Sequence, residues 1–261
     1  MTDILVTLGH VTVRYPGAAE PALRGVSFDV RRGERLAIVG ESGSGKSTLA
    51  LTLAGLLPRG SHVEGRIDWT ALGRVPVPGK DLGMVFQDPS NSLNPVLRVG
   101  EQIAEVVERH LGLGRRAAHA RAEELVELVK LPDPARLVRA YPHQLSGGQR
   151  QRIAIAEALA ASPALLIADE ATSALDTIVQ AEILVLLDEL VRERHSTLLF
   201  VTHDIALAAQ FADRIAVFHH GRLMEVGAAA QVITAPSSDY TRSLLASHIG
   251  LETPPLVGER A

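Results

Sequence analysis

The chain has 261 residues, 46% of them apolar, enough for one large domain or a domain with a subdomain. Its 30 acidic against 26 basic residues leave a formal net charge of −4, which excludes nucleic-acid binding by bulk positive charge. There is no cysteine, so disulfides, thiolate metal sites and cysteine nucleophiles are excluded too.

Residues 4–15, ILVTLGHVTVRY, place apolar side chains at alternate positions and predict one or two strands. VSFDV at 26–30 continues the pattern, and RRGE at 31–34 predicts a turn into RLAIVG at 35–40. That last run is mostly apolar, as a strand buried on both faces must be. A glycine-rich loop and an apolar helix over 46–57 follow. Residues 58–81 are rich in Gly and Pro, with a predicted strand at GRIDW, 65–69, and LGMVF then forms an apolar strand leading to Gln87. From 100 to 130 the period changes. Ile103, Val106, Val107 and Leu111, then Leu125, Leu128 and Val129, recur at helical spacing between charges.

This predicts a helical subdomain, about 88–160, inserted between two halves of an α/β core. Alternation then resumes with a helix (149–161), a strand (164–169), a helix (177–194), a strand (197–203), a helix (204–211) and a hairpin over 214–226 turning at His220-Gly221. Such alternation calls for a mainly parallel sheet covered by helices. The main domain is expected over 1–235, with a short C-terminal helix and a disordered tail over 236–261. The longest apolar run, Ile153 to Ala168, is broken by Glu157 and Pro163 and is too short for a bilayer. The N-terminus lacks the basic start and apolar region of a signal peptide, so work at a membrane is expected to run through a partner.

GESGSGKST at 40–48 fits the phosphate-loop pattern G-x-x-x-x-G-K-[ST] between a predicted strand and helix. Gly40, Gly43 and Gly45 let backbone N–H groups around Glu41, Ser42 and Ser44 converge on phosphates, with the helix N-terminus through Thr48 adding positive potential. Lys46 would reach the β- and γ-phosphates and Ser47 would offer its hydroxyl to Mg²⁺. Lys occurs only at 46, 80 and 130 against 23 Arg, so a lysine here marks a place where a compact charge is wanted. The loop alone does not separate a kinase, a GTPase and a transport ATPase.

LLIADE at 165–170 delivers Asp169 to the carboxyl edge of the sheet, where ligands of open α/β sheets bind. Asp169 would hold Mg²⁺, directly or through water, and Glu170 would polarise the attacking water. Taken alone, a strand followed by Asp-Glu is more often a surface turn; the upstream phosphate loop reverses those odds. His203 ends a strand expected beside that of Asp169 and is a candidate contact to the γ-phosphate and the water. Gln87 is a candidate sensor of Mg²⁺ and the γ-phosphate. Tyr15 is a candidate ring to stack on adenine, with ordinary packing as the alternative. His219-His220 at the hairpin reads as solvated surface. HQLSGGQRQR, 143–152, offers a second phosphate cradle that its own chain does not need.

Together these stretches resemble the ATP-binding subunit of an ABC transporter over nearly the whole chain. The matching elements are Tyr15 (aromatic stacking loop), GESGSGKST (Walker A), Gln87 (Q-loop), LSGGQ at 145–149 (signature), LLIADE (Walker B), SALD at 173–176 ending in Asp176 (D-loop) and His203 (switch histidine). FQDPSNSLNP (86–95), YPHQLSGGQRQRIAIAEALA (141–160), ALDTIVQAEIL (174–184) and DYTRSLL (239–245) are similar to the peptide and nickel importer branch. The resemblance implies a P-loop NTPase fold with a mainly parallel sheet, an antiparallel β subdomain and an inserted helical subdomain. It implies an ATPase using ATP and Mg²⁺ to drive uptake of peptides, nickel or a metal chelate.

Its partners would be a second ABC ATPase subunit, the same chain or a related one, and two membrane permease subunits contacting the segment from Gln87 through the helical insert. An extracytoplasmic solute-binding protein would take part indirectly, and nucleic acid would not. The chain would sit at the cytoplasmic face of the membrane. Ser146, Gly147, Gly148 and Gln149 would face the ATP of the opposite subunit, and Asp176 belongs to the same set of nucleotide-site residues. Two features depart from the branch. Ala171 stands where Pro is usual, and a cysteine-bearing C-terminal extension is not seen, so no iron–sulfur cluster is expected. The alternatives are an importer of another small solute or a non-transport ABC ATPase of DNA repair or translation. The latter usually carries a long coiled coil, for which the stretch from Lys46 to Ser146 is too short. A stand-alone kinase or GTPase leaves LSGGQ and His203 unexplained.

Overall fold

The computed structural model describes residues 3–88, 92–171 and 177–249. Three strands, β1 (Ile4–Arg14), β2 (Leu23–Arg31) and β4 (His62–Asp68), form an antiparallel sheet in the order β2-β1-β4. The second sheet has the order β5-β6-β7-β3-β8-β9, from β3 (Arg35–Val39), β5 (Leu82–Val85), β6 (Leu165–Asp169), β7 (Thr197–Thr202), β8 (Arg214–His219) and β9 (Arg222–Ala228). Its pairs are parallel except β8 with β9, the predicted hairpin.

Strand period explains the unbroken apolar runs. Leu36 and Ile38 of β3 join Leu5, Phe28, Leu49 and Phe218 in the core beneath the antiparallel sheet. Ala37 and Val39 point the other way, into a core shared with Ile103, Leu125, Ile153, Ile183 and Phe200. β6 and β7 divide their residues in the same manner, so both faces of each strand are covered and neither tolerates a polar alternate position.

The helices include α1 (Lys46–Ala54), α2 (Val99–Leu111), α3 (Arg115–Leu128), α4 (Pro134–Leu137), α5 (Gly147–Ala158), α6 (Thr177–Glu193), α7 (Ile205–Phe211), α8 (Ala229–Thr234) and α9 (Asp239–Ile249), with a 3₁₀ turn at Pro142–Gln144. Helices α2 to α5 lie between β5 and β6 in sequence and carry the predicted insert. In α2, Val99, Ile103, Ala104 and Val107 are buried while the charges face out, the amphipathic pattern read above. The insert is pinned where Val99 and Gly100 N–H donate to the Ala140 and Val138 carbonyls.

Several boundaries differ from expectation for physical reasons. α1 stops at Ala54 rather than 57 because Gly55 takes a left-handed cap, φ 69°. β4 begins at His62, three residues early; its HVEG start is exposed, so no apolar alternation marks it. β1 is one strand, but its register with both neighbours shifts around Gly9 and His10, where His10 has φ 52°. α5 starts at 147 rather than 149 because Ser146 caps it. The tail from 250 onward lies outside the described residues.

Strand β5 approaches the insert closely. A Cβ on Gly83 would fall 2.3 Å from the Ala158 carbonyl oxygen and 3.1 Å from the Pro163 ring. Gly83→Ala is therefore expected to destabilise the fold by about 1–3 kcal/mol, read as a lower urea midpoint at unchanged slope.

Candidate nucleotide site

Strand β3 runs out at Val39 and α1 begins at Lys46, so residues 40–45 form the loop between them. The loop is clamped against the end of β8 and the turn after it. A Cβ on Gly40 (φ 152°) would lie 2.1 Å from the Phe218 carbonyl oxygen, and one on Gly45 (φ 101°) would lie 2.7 Å from that of Ala22. Gly43 has φ 77°, also in the region that favours glycine. Gly221 N–H donates to the Ser44 carbonyl at 2.9 Å. Ser44 and Thr48 are buried, whereas Glu41, Ser42, Gly43 and Ser47 face outward. The Tyr15 hydroxyl meets Thr48 Oγ1 at 3.2 Å, which ties the aromatic residue to the same loop.

Lys46 is 4% exposed. Its Nζ donates to the Gly40 and Glu41 carbonyls at 2.8 and 2.9 Å. Burial presses the pKa of this ammonium down, and the negative charges of Glu170 and Asp169 oppose that shift. Ser47 Oγ donates to Asp169 Oδ1 at 3.0 Å. Burial pushes the Asp169 carboxyl up from its usual range, against the pull of the Ser47 hydrogen bond; Glu170 adds to the rise and Lys46 opposes it.

Glu170 follows the end of β6 with φ 45°, a left-handed conformation uncommon outside glycine. Its N–H donates to the Val201 carbonyl on β7 at 3.1 Å, which turns the chain across the strand ends. Gln87 Nε2, two residues past β5, donates to Glu170 Oε2 at 3.3 Å. Because β5, β6, β7 and β3 are parallel neighbours, Gln87, Asp169, Glu170, His203 and the 40–48 loop all leave the sheet along one carboxyl edge. His203 is exposed one residue beyond β7 and makes no hydrogen bond among the described residues. Ala171, next to Glu170, is buried.

The second cradle has a role in its own chain. Ser146 Oγ accepts the Gln149 N–H at 3.3 Å, and Gln149 Oε1 accepts the Ser146 N–H at 3.0 Å. This reciprocal capping box starts α5 and leaves Gly147 and Gly148 in its first turn. Arg150 donates to the Leu145 carbonyl, while Arg152 reaches the Val129 carbonyl and Glu182, so the flanking arginines tie α5 to the rest of the insert and to α6. Among the described residues, no hydrogen bond or ion pair joins Ser146, Gly147, Gly148 or Gln149 to residues 40–48 of this chain. Asp176 and the SALD stretch lie outside the described residues.

One neighbour of the loop was not foreseen. The Tyr240 ring of α9 stacks on His219 with centroids 4.0 Å apart and planes 15° from parallel. Burial pushes the Tyr240 phenol up, the Glu41 backbone opposing and the Glu41 charge adding to the shift. Its hydroxyl makes no hydrogen bond among the described residues, and His219 follows Phe218, whose carbonyl abuts Gly40, so the ring lies near the phosphate loop. His219 is thus half-buried under an aromatic ring rather than solvated surface; His220 is the exposed member of the pair. The signal in sequence was a lone aromatic in DYTRSLL, too distant from the loop to be linked with it by pattern.

A glycine-rich loop after β3, an acidic strand end hydrogen-bonded to it and a glutamine-linked glutamate meet at one edge of the sheet. The family model described as "ABC transporter" matches residues 23–173, from β2 through the insert and past Asp169. The chain belongs to the ABC transporter family. As an ABC ATPase it is 45% identical to the oligopeptide transport ATP-binding protein OppD of Bacillus subtilis (strain 168), over 91% of this chain and 69% of that one. It is 43% identical to the dipeptide transport ATP-binding protein DppD of the same strain, over 91% and 74%. The ABC cassette MJ0796, solved as a dimer in a post-hydrolysis state bound to ADP and Pi, superposes with a TM-score of 0.74 at 32% identity, covering 86% of this chain and 98% of that one.

Replacing Lys46 with Ala removes the buried ammonium from the ABC loop. Nucleotide affinity is expected to fall about tenfold or more, as measured by titration with a fluorescent ATP analogue; unchanged affinity would show that the loop does not hold phosphates.

Proposed function

We propose that this ABC ATPase is the energising subunit of a membrane importer, coupling ATP binding and hydrolysis to uptake of peptide-like solutes, with nickel or a metal chelate as the alternative cargo. The observation that carries the reading is the single sheet edge on which Lys46, Ser47–Asp169 and Gln87–Glu170 converge. Relatives named for oligopeptide and dipeptide transport support the cargo class.

In this reading the N–H groups of the 40–48 loop and the Lys46 ammonium bind the phosphates, and Tyr15 packs against the adenine. Ser47 and Asp169 offer adjacent hydroxyl and carboxylate oxygens, a hard donor set that suits Mg²⁺, with Gln87 alongside. The ion would neutralise phosphate charge. Glu170, held by Gln87 and by its own turned backbone, accepts the proton of the attacking water, and His203 contacts the γ-phosphate.

Ser146 and Gln149 cap the start of α5, Ser146 is exposed, and among the described residues none of Ser146, Gly147, Gly148 and Gln149 hydrogen-bonds to the 40–48 loop, which suits contact with the ATP of a second ATPase subunit. The dimeric state of the MJ0796 cassette supports that arrangement. Asp176 would join the same shared site.

Residues 1–235 form the ATPase domain in this reading, with the helical subdomain about 88–160 and a C-terminal element from 236. No described helix is long and apolar enough to cross a membrane. Two permease subunits would provide the path, docking between Gln87 and the helical subdomain, and the ATPase would sit peripherally at the cytoplasmic face. A solute-binding protein would deliver cargo.

Glu170→Gln is expected to retain ATP binding, lower turnover by about 10²–10⁴-fold and accumulate an ATP-bound dimer, read by phosphate release and by sedimentation; turnover at the parent rate would remove Glu170 from its role. Ser146→Arg is expected to leave ATP binding by the monomer intact while abolishing ATP-dependent dimerisation and hydrolysis. If the monomer instead lost ATP binding, the signature loop would be serving its own chain.

A further inference from the structure

Between the end of β5 and the helical insert lies a groove of about 180 Å³. Leu56, Met84, Phe86, Val106 and Ala154 make its walls apolar, and among the described residues the one charged residue lining it is Glu157. Phe86 and Leu56 are 38% and 44% exposed, so the groove presents apolar surface to its surroundings. It also touches both halves of the ATPase site. Phe86 directly precedes Gln87, which bonds Glu170, and Ala154 and Glu157 lie on the helix that begins at the signature motif.

The Glu157 carboxylate accepts no hydrogen bond and makes no ion pair among the described residues, although its backbone carbonyl accepts the Ala160 N–H at 3.1 Å. The cations of its own helix are used elsewhere, Arg150 on the Leu145 carbonyl and Arg152 on Val129 and Glu182. Burial, and next the Glu105 carboxylate on α2, push its carboxyl up to about 7. An ionised carboxyl in that position is half-buried with no cation among the described residues to pair with, and a cation supplied from outside would stabilise it.

We propose that Glu157 reads the charge of the permease segment seated in this groove, selecting an amphipathic helix whose apolar face carries a lysine or arginine to pair with it. The docking rests on the importer reading above; the charge selection is what Glu157 adds. An apolar groove supplies contact area, and a lone carboxylate on its wall supplies specificity by disfavouring acidic or uncharged partners at that position.

The test co-expresses the full chain with candidate permease subunits, chosen as membrane-spanning products of its neighbouring genes, and measures co-purification at fixed ionic strength. Glu157→Lys is expected to lower recovery of the complex at least tenfold, Glu157→Gln less. A Lys or Arg to Glu change in a cytoplasmic segment of one membrane subunit is expected to restore assembly with Glu157→Lys. Thermal melting of the free subunit at pH 8 separates partner reading from a structural role. There the folded carboxyl is ionised and carries its full burial penalty, so Glu157→Gln is expected to melt no lower than the parent. Parent-like assembly of Glu157→Lys, failure of every reversed cation to restore it, or a lower melting point for Glu157→Gln would each overturn the proposal. If the parent chain itself failed to co-purify, the importer reading would fall and this proposal with it.

Discussion

The hydrogen bond from Ser47 to Asp169 joins two groups 122 positions apart in the chain, and the site depends on the constraint that makes it possible. β3 and β6 are both parallel to β7, which lies between them, so their carboxyl ends open on one side. Within the strands every side chain meets one core or the other, and polar groups have room only where the strands stop. The phosphate loop, the acidic pair and Gln87 therefore arise at one edge as a consequence of sheet topology.

Packing around that edge limits what the loop residues can be. Gly40 and Gly45 sit against carbonyl oxygens of Phe218 and Ala22 at distances that leave no space for a Cβ. Lys46 is held in place by two carbonyls of its own loop, with the two carboxylates of Walker B near enough to oppose its desolvation. Glu170 keeps a left-handed backbone although Ala171, not proline, follows it; the hydrogen bond to Val201 supplies the restraint. The turn thus has a hydrogen-bonded anchor that does not depend on the residue at 171.

The LSGGQ stretch has a structural role within its own chain. Its serine and glutamine are a capping box, sufficient reason for their spacing within a single chain. The two glycines between them keep the first turn of α5 free of long side chains, and a Cβ on Gly148 would lie 3.1 Å from Val179 Cγ1. The insert carries this end of α5, and its other end borders the groove beside Phe86. A movement of the insert would therefore shift the signature motif and the groove together.

Much of the fold was legible because its signals are local. Alternation in ILVTLGHVTVRY, the apolar run RLAIVG and the helical spacing from Ile103 to Val107 follow from strand and helix period. GESGSGKST and LLIADE determined which groups stand at the strand ends, a lysine, a serine hydroxyl and two carboxylates. Local signals do not show which distant groups meet. Only the tertiary structure decided that Arg150 and Arg152 turn into the insert rather than toward a phosphate, that Tyr240 lies over His219 beside the loop, and that Glu157 lines a groove without a cation. The physical reason is that backbone period reports which face a residue occupies, whereas pairing and desolvation depend on what the other elements bring to that face.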